Sequence, residues 1–371
     1  MRLNRIVIDN FKNIASADLE LSPKVNCFLG NNGMGKSNLL DAVYYLSFCR
    51  SFSGVPDAMV MRRGSDFLTL RGEYTRGDTD ETLQLGLGSG RRKSFRRGGK
   101  EYQRLSAHIG LFPLVMVAPQ DIDLIRDAAE ARRRWLDMVI SQSDATYLDR
   151  LIRYSHGLEQ RNRLLRDGVV DHSLYQVIEM QMESAANYIA DVRTAMVEKL
   201  SEIFARYYRA VADDEAEKVT LIYEGWRQAA PDGSLTALFD QCRRHDEAVR
   251  HTSVGPHRDE IAMMLDGMPA RRTGSQGQCK TFTVALRLAQ YDFLRQATGL
   301  KPLLLLDDIF DKLDARRVER IMELVSADDF GQIFITDTNR KHLDSIISHT
   351  RGHHRLWTVA DGVFTPASPE P

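Results

Sequence analysis

The sequence lacks the features that mark secreted, membrane and metal-clustered proteins. Its four cysteines (Cys27, Cys49, Cys242 and Cys279) are scattered without the close spacing of a metal site, so we expect reduced thiols. No uninterrupted apolar run approaches the roughly 18 residues of a membrane span, and the opening residues contain no signal-peptide apolar region. We therefore expect a cytoplasmic protein with no membrane partner.

A large net charge of either sign is also missing. The 371 residues carry 50 Lys and Arg against 51 Asp and Glu, a formal net charge of -1. Any surface that binds nucleic acid must therefore be local. Hydrophobic side chains make up 43% of the chain, which is enough for a large core and for two or three domains.

The most informative stretch runs from Gly30 to Ser37, between the apolar run Val25 to Leu29 and a helix predicted from Asn38 to Phe48. A glycine-rich turn between a strand and a helix directs backbone N–H groups at one point, where phosphate oxygens bind. In this pattern Lys36 reaches the β- and γ-phosphates, and the Ser37 hydroxyl binds Mg²⁺. We therefore predict a site for ATP and Mg²⁺ formed by Gly30, Asn31, Asn32, Gly33, Met34, Gly35, Lys36 and Ser37.

A second apolar run ends in the carboxylates that such a site needs. Leu303 to Leu306 is followed by Asp307 and Asp308, which is typical of a buried strand ending beside the nucleotide. We predict that Asp307 holds Mg²⁺ and that Asp308 polarises the attacking water. A further strand, predicted from Gln332 to Thr336, ends at Asp337, the usual place for a residue that senses the γ-phosphate.

A basic stretch follows a β-hairpin predicted between Phe67 and Gly88. From Arg91 to Arg104 it carries seven cations, one acid and two aromatic side chains. Such a stretch binds the phosphate backbone of DNA, or it is a solvated turn kept soluble by its charge. The candidate DNA-binding residues are Arg91, Arg92, Lys93, Arg96, Arg97 and Lys100.

The composition changes at about residue 121. From there to Ala212 the chain has no proline, and apolar residues recur every three or four positions from Ile178 to Tyr207. This pattern predicts a helix from Leu174 to Ala212 that packs in a compact bundle rather than a free coiled coil. Alternation typical of a sheet resumes at Ile261. We therefore predict a discontinuous nucleotide-binding domain of residues 1–120 and 251–371, interrupted by a helical lobe of residues 121–250.

Two short motifs in the last third resemble those of a known superfamily. Ser-x-Gly-Gln, within Thr273 to Gln278 and before a helix predicted from Cys279 to Ala297, resembles the signature motif of the ABC ATPases. Asp311 to Asp314 resembles their D-loop. The resemblance implies an α/β ABC-type head, a mixed sheet with flanking helices, whose ATP is shared with a second copy. Ser275 by itself is also explained as a helix N-cap. The residues implied to contact the second copy's ATP are Ser275, Gly277 and Gln278.

Five stretches narrow the resemblance to the RecF family of bacterial recombination and repair proteins. The segment between Gln120 and Ser275 agrees, since it is far too short for the coiled-coil arms of SMC proteins but long enough for a compact helical lobe. By the same resemblance, Lys12 and Asn13 belong to the nucleotide site, and Gln120 to Mg²⁺ binding and catalysis. The five stretches are Asp9 to Asn13, Gly30 to Ser37, Arg132 to Asp137, Gly255 to Asp259, and Asp307 with Asp308.

The family resemblance implies a protein that binds ATP, forms an ATP-dependent homodimer and binds double-stranded DNA beside single-stranded gaps. Its implied partners are RecR and RecO, with which it helps to load RecA. Asp308 replaces the usual glutamate and is one methylene shorter, so we expect slow hydrolysis that suits a switch. Asp337 stands where many ABC ATPases have a histidine, which argues against a histidine sensor.

Some assignments stay open at the level of sequence. Arg132 to Arg134 either contact DNA or form ion pairs within the chain. His257 to Asp259 either orders the signature loop, lies near the nucleotide, or forms a turn held by an Arg–Asp pair. The alternative functions are an ABC-type ATPase subunit that serves a membrane permease, and another P-loop ATPase that does not act on DNA. A salt-dependent, ATP-dependent DNA interaction would separate the DNA-binding function from both.

Overall fold

The computed structural model describes residues 1–90, 92–127, 129–212, 217–230, 233–310, 313–349 and 353–367. The chain forms two compact units. The first unit contains Met1–Asp121 and the residues from Gln290 onward, and the second contains Ile122–Ala289. No helix among the described residues combines the length and the apolar character that crossing a membrane requires.

The predicted strands and helices are present in the described chain. The strands are β1 (Arg2–Phe11), β2 (Ile14–Glu20), β3 (Val25–Leu29), β4 (Phe67–Arg76), β5 (Thr79–Gly88), β6 (Ser94–Arg97), β7 (Lys100–Glu101), β8 (Leu114–Val117), β9 (Val219–Glu224), β10 (Glu260–Leu265), β11 (Met268–Pro269), β12 (Leu303–Asp307), β13 (Ile333–Asp337), β14 (His354–Ala360) and β15 (Val363–Pro366). The helices are α1 (Lys36–Phe48), α2 (Asp57–Val60), α3 (Asp123–Arg126), α4 (Ala129–Ser141), α5 (Ala145–Asp167), α6 (His172–Ala212), α7 (Leu235–Val249), α8 (Ala270–Thr273), α9 (Gln276–Thr298), α10 (Ala315–Ser326) and α11 (Arg340–His349).

The first unit is built around a mixed sheet in the order β15-β14-β3-β13-β12-β8. Every neighbouring pair from β14 to β8 is parallel, and β15 joins β14 antiparallel. Strands β12 and β13 are buried along their whole length, as expected of central strands covered on both faces. Because β3, β13, β12 and β8 run in the same direction, their carboxyl ends lie along one edge of the sheet.

A second sheet of the first unit is antiparallel, in the order β2-β1-β4-β5-β6-β7. Its strands β4 and β5 alternate between buried and more exposed residues, so one face packs on the core and the other is open. Helix α1 contacts strands of both sheets. It is buried from Leu39 to Phe48, which agrees with its apolar character on every side.

The second unit combines long helices with a small sheet. Helix α6 has 41 residues, or about 60 Å at 1.5 Å per residue. It packs closely on α5, where a Cβ added at Gly157 would lie 2.5 Å from Met182 Cγ. Strand β10 pairs with β9 over the full length of both strands, and with β11.

The limits of the two units differ from the predicted domain limits at one boundary. Residues 251–289, predicted to belong to the nucleotide-binding domain, cluster with the helices of the second unit. The physical reason is the pairing of β10 with β9, which ties the chain after residue 251 to the segment that precedes α7. Alternating polarity correctly indicated a strand at Ile261 but carried no information about its partner.

A buried ion cluster holds the helices of the second unit together. Arg161 of α5 donates from Nε to Glu179 Oε1 at 2.8 Å and from Nη1 to Asp246 Oδ2 at 2.7 Å. The side chains of all three residues are at most 2% exposed. The same Nη1 donates to Thr252 Oγ1 at 2.8 Å. One arginine therefore links α5 with α6, α7 and the segment that follows α7.

We expect Arg161→Met to lower the free energy of unfolding by about 3–5 kcal/mol, because Asp246 would stay buried without its counter-charge and Glu179 would keep only Arg243, 3.1 Å away. Denaturant titration followed by circular dichroism measures this loss. The matched control is Arg153→Met, which removes an exposed pair with Asp149 on the same helix and should cost about 0.5 kcal/mol or less. Equal losses in the two variants would contradict the structural role of the Arg161 cluster.

Candidate nucleotide site and basic surface

The loop from Gly30 to Ser37 connects β3 to α1 as the sequence predicts. Gly35 is the N-cap of α1 and has a φ of 110°, a left-handed conformation that favours glycine. A Cβ at Gly35 would also lie 2.8 Å from Asn13 Oδ1. Gly33 has a φ of 80°. Since α1 has no side-chain cap in the described chain, its first-turn N–H groups are left for an anion.

Lys36 is folded back onto this loop. Its Nζ donates to the backbone oxygen of Gly30 at 2.7 Å and to that of Asn31 at 3.2 Å. The side chain is only 3% exposed, and Nζ lies 3.7 Å from Asp308 Oδ2. The carbonyl groups therefore fix a buried ammonium beside a helix N-terminus, where its charge complements a polyphosphate.

Asp307 joins three elements at the carboxyl edge of the mixed sheet. Its Oδ1 accepts a hydrogen bond from Ser37 Oγ at 2.8 Å and another from Thr336 Oγ1 at 2.8 Å. Burial raises the pKa of Asp307, and these two hydroxyl donors oppose the rise. The hydroxyl of the loop and the carboxylate of β12, both predicted Mg²⁺ ligands, are thus in direct contact.

Asp308 turns away from the line of β12. Its φ of 45° is left-handed, a conformation that aspartate tolerates better than most residues. Its backbone N–H donates to Thr336 Oγ1 at 3.0 Å. Thr336 therefore positions both carboxylate residues, a role that the sequence analysis does not assign to it. The only available signal is a hydroxyl side chain in an otherwise apolar stretch, Ile333 to Ile335.

Asp337, at the expected switch position, ends β13 beside the loop. Its backbone oxygen accepts from Gly30 N at 3.3 Å. Its carboxylate accepts from Asn339 N at 2.7 Å and lies 3.0 Å from His342 Nδ1. A histidine is therefore present at this strand end, supplied by α11 five residues after Asp337, which the sequence analysis did not identify.

Lys12 and Asn13 contact the loop and its helix rather than open space. Lys12 Nζ forms an ion pair with the buried Asp41 Oδ2 of α1 at 2.6 Å. Asn13 Oδ1 accepts from Asn38 Nδ2 at 2.7 Å, and Asn13 Nδ2 donates to Gly33 O at 3.4 Å. In this structure both residues brace the phosphate loop, and direct nucleotide contact stays a prediction for them.

Gln120 lies in a 3₁₀ turn, Pro119–Ile122, that follows β8. Because β8 pairs parallel with β12, this turn begins at the same sheet edge as Asp307. The turn is held by Asp121, whose Oδ2 accepts from Ala118 N at 2.9 Å. The side chain of Gln120 is exposed, and its role in Mg²⁺ binding stays a prediction.

The signature segment forms a capping box at the start of α9. Ser275 Oγ accepts from Gln278 N at 3.2 Å, and Gln278 Oε1 accepts from Ser275 N at 2.8 Å. Gln278 Nε2 also donates to Glu217 Oε1 at 2.6 Å. The N-cap role of Ser275 is thus present, while its contact with a second copy's ATP stays a prediction, together with those of Gly277 and Gln278.

Of the D-loop, Asp311 and Lys312 lie outside the described residues, and Asp314 caps α10.

The chain is similar to known proteins over its whole length. A model of the RecF/RecN/SMC N terminal domain matches residues 2–54. The DNA replication and repair protein RecF of Parabacteroides distasonis is 46% identical over 99% of this chain and 99% of its own length. RecF of Porphyromonas gingivalis is 47% identical over 98% of this chain and 99% of its own. The chain belongs to the RecF family.

Solved structures show the fold class of this RecF-family chain. The recombination mediator protein RecF of the RecFOR pathway, solved as RecF-ATPrS, has a TM-score of 0.88 at 27% identity over 99% of this chain and 98% of that chain. The Smc head domain of Pyrococcus furiosus has a TM-score of 0.58 at 14% identity over 98% and 95% of the two chains, which shows the fold alone. The predicted ABC-type head with a mixed sheet is confirmed, and the described residues form no long coiled coil.

The basic stretch of this RecF-family chain is divided by strand alternation. Lys93, just before β6, and Arg97, at its end, lie on the same side as the buried Phe95. Lys93 Nζ contacts Asp57 Oδ2 of α2 and Cys49 O at the end of α1, each at 2.7 Å. Arg97 forms a two-bond pair with Glu81. Both are therefore engaged within the chain, contrary to a purely DNA-facing role. Of the other candidates, Arg92, Arg96 and Lys100 are exposed, and Arg91 lies outside the described residues.

Two further motifs of the RecF family have contacts within the second unit. Arg132 makes a two-bond pair with Glu260, each bond 2.7 Å, and Arg133 donates to Asp259 O at 2.7 Å. The Asp259 carboxylate accepts from Arg193 Nη1 at 2.7 Å and from Trp226 N at 2.8 Å. These contacts favour the intramolecular interpretation of Arg132 and Arg133, and the acid of the His257 to Asp259 turn pairs with Arg193, not with its neighbour Arg258.

We expect Asp307→Asn to keep or raise the stability of the nucleotide-free protein while Mg²⁺-dependent hydrolysis falls at least about 100-fold. A raised pKa means that the folded state binds this proton more readily than the unfolded chain, so ionising Asp307 at neutral pH costs stability. Asparagine keeps an oxygen for Ser37 and Thr336 and removes the buried charge.

Thermal unfolding at pH 7 without nucleotide measures the stability of Asp307→Asn. We expect a Tm that is unchanged or about 1–3 °C higher than that of the wild type. Ser16→Ala is the matched control, since it removes an exposed hydroxyl donor to the carboxylate Asp9 of the same unit. A markedly lower Tm for Asp307→Asn would contradict the conclusion that the ionised Asp307 carboxylate lowers the stability of the nucleotide-free protein.

Proposed function

We propose that this protein is an ATP-dependent DNA-binding clamp that dimerises on ATP and acts in the recombinational repair of gapped DNA. In this proposal it works in the cytoplasm with RecR and, together with RecO, helps RecA loading. The single observation that carries the nucleotide part is the 2.8 Å hydrogen bond from Ser37 Oγ to Asp307 Oδ1 beside Lys36. Family membership and the relative solved as RecF-ATP at 27% identity support the same conclusion.

The residues present fit Mg²⁺ together with ATP. Ser37 and Asp307 offer a hydroxyl and a carboxylate oxygen that already converge, and such hard oxygen donors suit Mg²⁺. Gln120 is the third proposed ligand, at the end of the neighbouring strand. The ion would neutralise charge on the β- and γ-phosphates. Lys36 and the N–H groups at the start of α1 would bind the same phosphates from the loop side.

Hydrolysis is proposed to be slow and to serve as a timer. Asp308 would orient the attacking water, but its side chain is one methylene shorter than the glutamate usual in this superfamily. Its carboxylate lies 3.7 Å from Lys36 Nζ, and the backbone hydrogen bond from its N–H to Thr336 fixes its direction.

Dimerisation is proposed to use the signature segment. Ser275 is exposed at the N-terminus of α9, a helix of 23 residues. Its hydroxyl and the first-turn N–H groups together form a place where a γ-phosphate from a second copy would bind. Because ATP held between two copies would make contacts that a single copy cannot supply, it would bind the dimer more tightly than the monomer and drive association by mass action.

We expect Ser275→Arg to prevent ATP-dependent dimerisation without preventing ATP binding, since it adds bulk to the proposed shared site and leaves the phosphate loop intact. Light scattering with and without ATP measures association, and equilibrium dialysis with labelled ATP measures binding. The matched control is Glu159→Arg, which places the same side chain at an exposed position of α5 in the same unit. ATP-dependent dimers of Ser275→Arg at the wild-type level would refute the proposed role of the signature segment.

A further inference from the structure

The open face of the antiparallel sheet carries a cleft that the proposed nucleotide site does not use. The cleft has a volume of about 610 Å³, within the range of small-ligand clefts. It lies where β4 begins, β5 ends and β6 begins, and it is formed by one unit alone. Its lining includes Phe67, Gly86, Gly88, Arg92 and Ser94.

Phe67 is an exposed aromatic side chain on the open face of the sheet. Burial alternates along β4, so that Leu68 and Leu70 face the core while Phe67 is on the open side and is 53% exposed. About half of this side chain stays in water, and that part gains nothing from burial. Its exposure is therefore a reason to look for a ligand with a flat apolar surface.

Two glycines leave the sheet surface beside Phe67 without side chains at their positions. The residue directly opposite Phe67 on β5 is Gly88, and the one opposite Thr69 is Gly86. A Cβ added at Gly86 would meet nothing within 4 Å, so the space above this backbone is open. Gly86 is in turn opposite Ser94 on β6. The ring of Phe67 therefore lies beside a stretch of sheet that carries few and small side chains.

The charge around the cleft is suited to a phosphate chain. Arg92 lines the cleft and is exposed, and Arg96 lies on the same open face one step along β6. Arg62 and Arg63, both exposed, occupy the turn that leads into β4. Three acids are close: Asp66 lines the cleft, Asp9 accepts hydrogen bonds from Ser16 and Thr69, and Glu101 lies 3.7 Å from Arg96 Nη2. A salt-sensitive attraction for a polyanion follows from this excess of arginine.

We propose that this cleft binds single-stranded DNA, with an unpaired base stacked on Phe67 and the neighbouring phosphates held by Arg92. The inference rests on the proposed DNA-binding function and assigns the single-stranded part of its substrate to a particular surface. A base within a duplex has both ring faces covered by its neighbours, so only an unpaired base stacks on an exposed aromatic side chain. An open β-sheet face with an aromatic ring and arginine is a common way to hold such a strand.

The test compares two DNA probes with the ATP-bound full-length protein. One is a blunt duplex, and the other is the same duplex with a single-stranded dT tail. We expect Phe67→Ala to weaken binding of the tailed duplex about 10-fold and to leave the blunt duplex unchanged within about 2-fold. Phe67→Trp should keep the tailed-duplex affinity, and its added indole fluorescence should change when the dT tail binds.

Two further variants distinguish base stacking on Phe67 from attraction by charge and from a general effect of exposed apolar side chains. Arg92→Gln should weaken the tailed duplex and reduce the slope of log affinity against log salt by about 1. Val363→Ala removes an apolar side chain that is 61% exposed on β15 of the same unit and should change neither probe. Thermal unfolding of each variant should match the wild type, since none of these side chains is buried.

The outcomes distinguish this inference from the function on which it rests. If Phe67→Ala binds both probes like the wild type, or loses both equally, the cleft is not a single-strand site and the inference is overturned while DNA binding stands. If the wild type with ATP binds neither probe, the proposed DNA function itself fails. Selective loss of the tailed duplex, restored by Phe67→Trp, supports both.

Discussion

A buried carboxylate with two hydroxyl donors ties the nucleotide site together. Asp307 is 6% exposed, and its Oδ1 receives hydrogen bonds from the first turn of α1 and from the end of β13. Taking a carboxylate out of water is costly, and the raised pKa of Asp307 shows that the two donors compensate only in part. The loop, α1, β12 and β13 are thereby linked through one oxygen atom, which is also the proposed Mg²⁺ ligand.

The alternation of side chains along β6 determines which residues of the basic stretch are buried in contacts and which are exposed. Successive side chains of β6 point to opposite faces, so a run of arginine and lysine is divided into structural and exposed groups. Lys93 and Arg97 stabilise the packing of β6 against α2 and β5 through Asp57 and Glu81. Of the exposed residues, Arg92 lines the cleft with Phe67, and Arg96 lies on the same open face. A single short strand thus serves both the core and the surface proposed to contact DNA.

The sequence predicts those parts of the site that depend on local pattern. The phosphate loop lies between an apolar strand and a helix, and the apolar run ending at Asp307 is a buried central strand, because both signals are continuous in the chain. Thr336, His342 and the partner of β10 were not predictable, since each depends on pairing between segments far apart in the chain. The partners of Lys93 and Arg97 were missed for the same reason: charge is visible in a sequence, whereas the acid that neutralises it is not.

The central claim is that the γ-phosphate of ATP brings two copies of this chain together on gapped DNA. Sedimentation velocity tests it most directly, with ATP, with ADP and without nucleotide, each in the presence and absence of a gapped duplex. The account predicts a monomer without nucleotide and with ADP, a dimer with ATP, and a larger complex only when ATP and gapped DNA are both present. Identical sedimentation in all nucleotide states, with or without DNA, would contradict it.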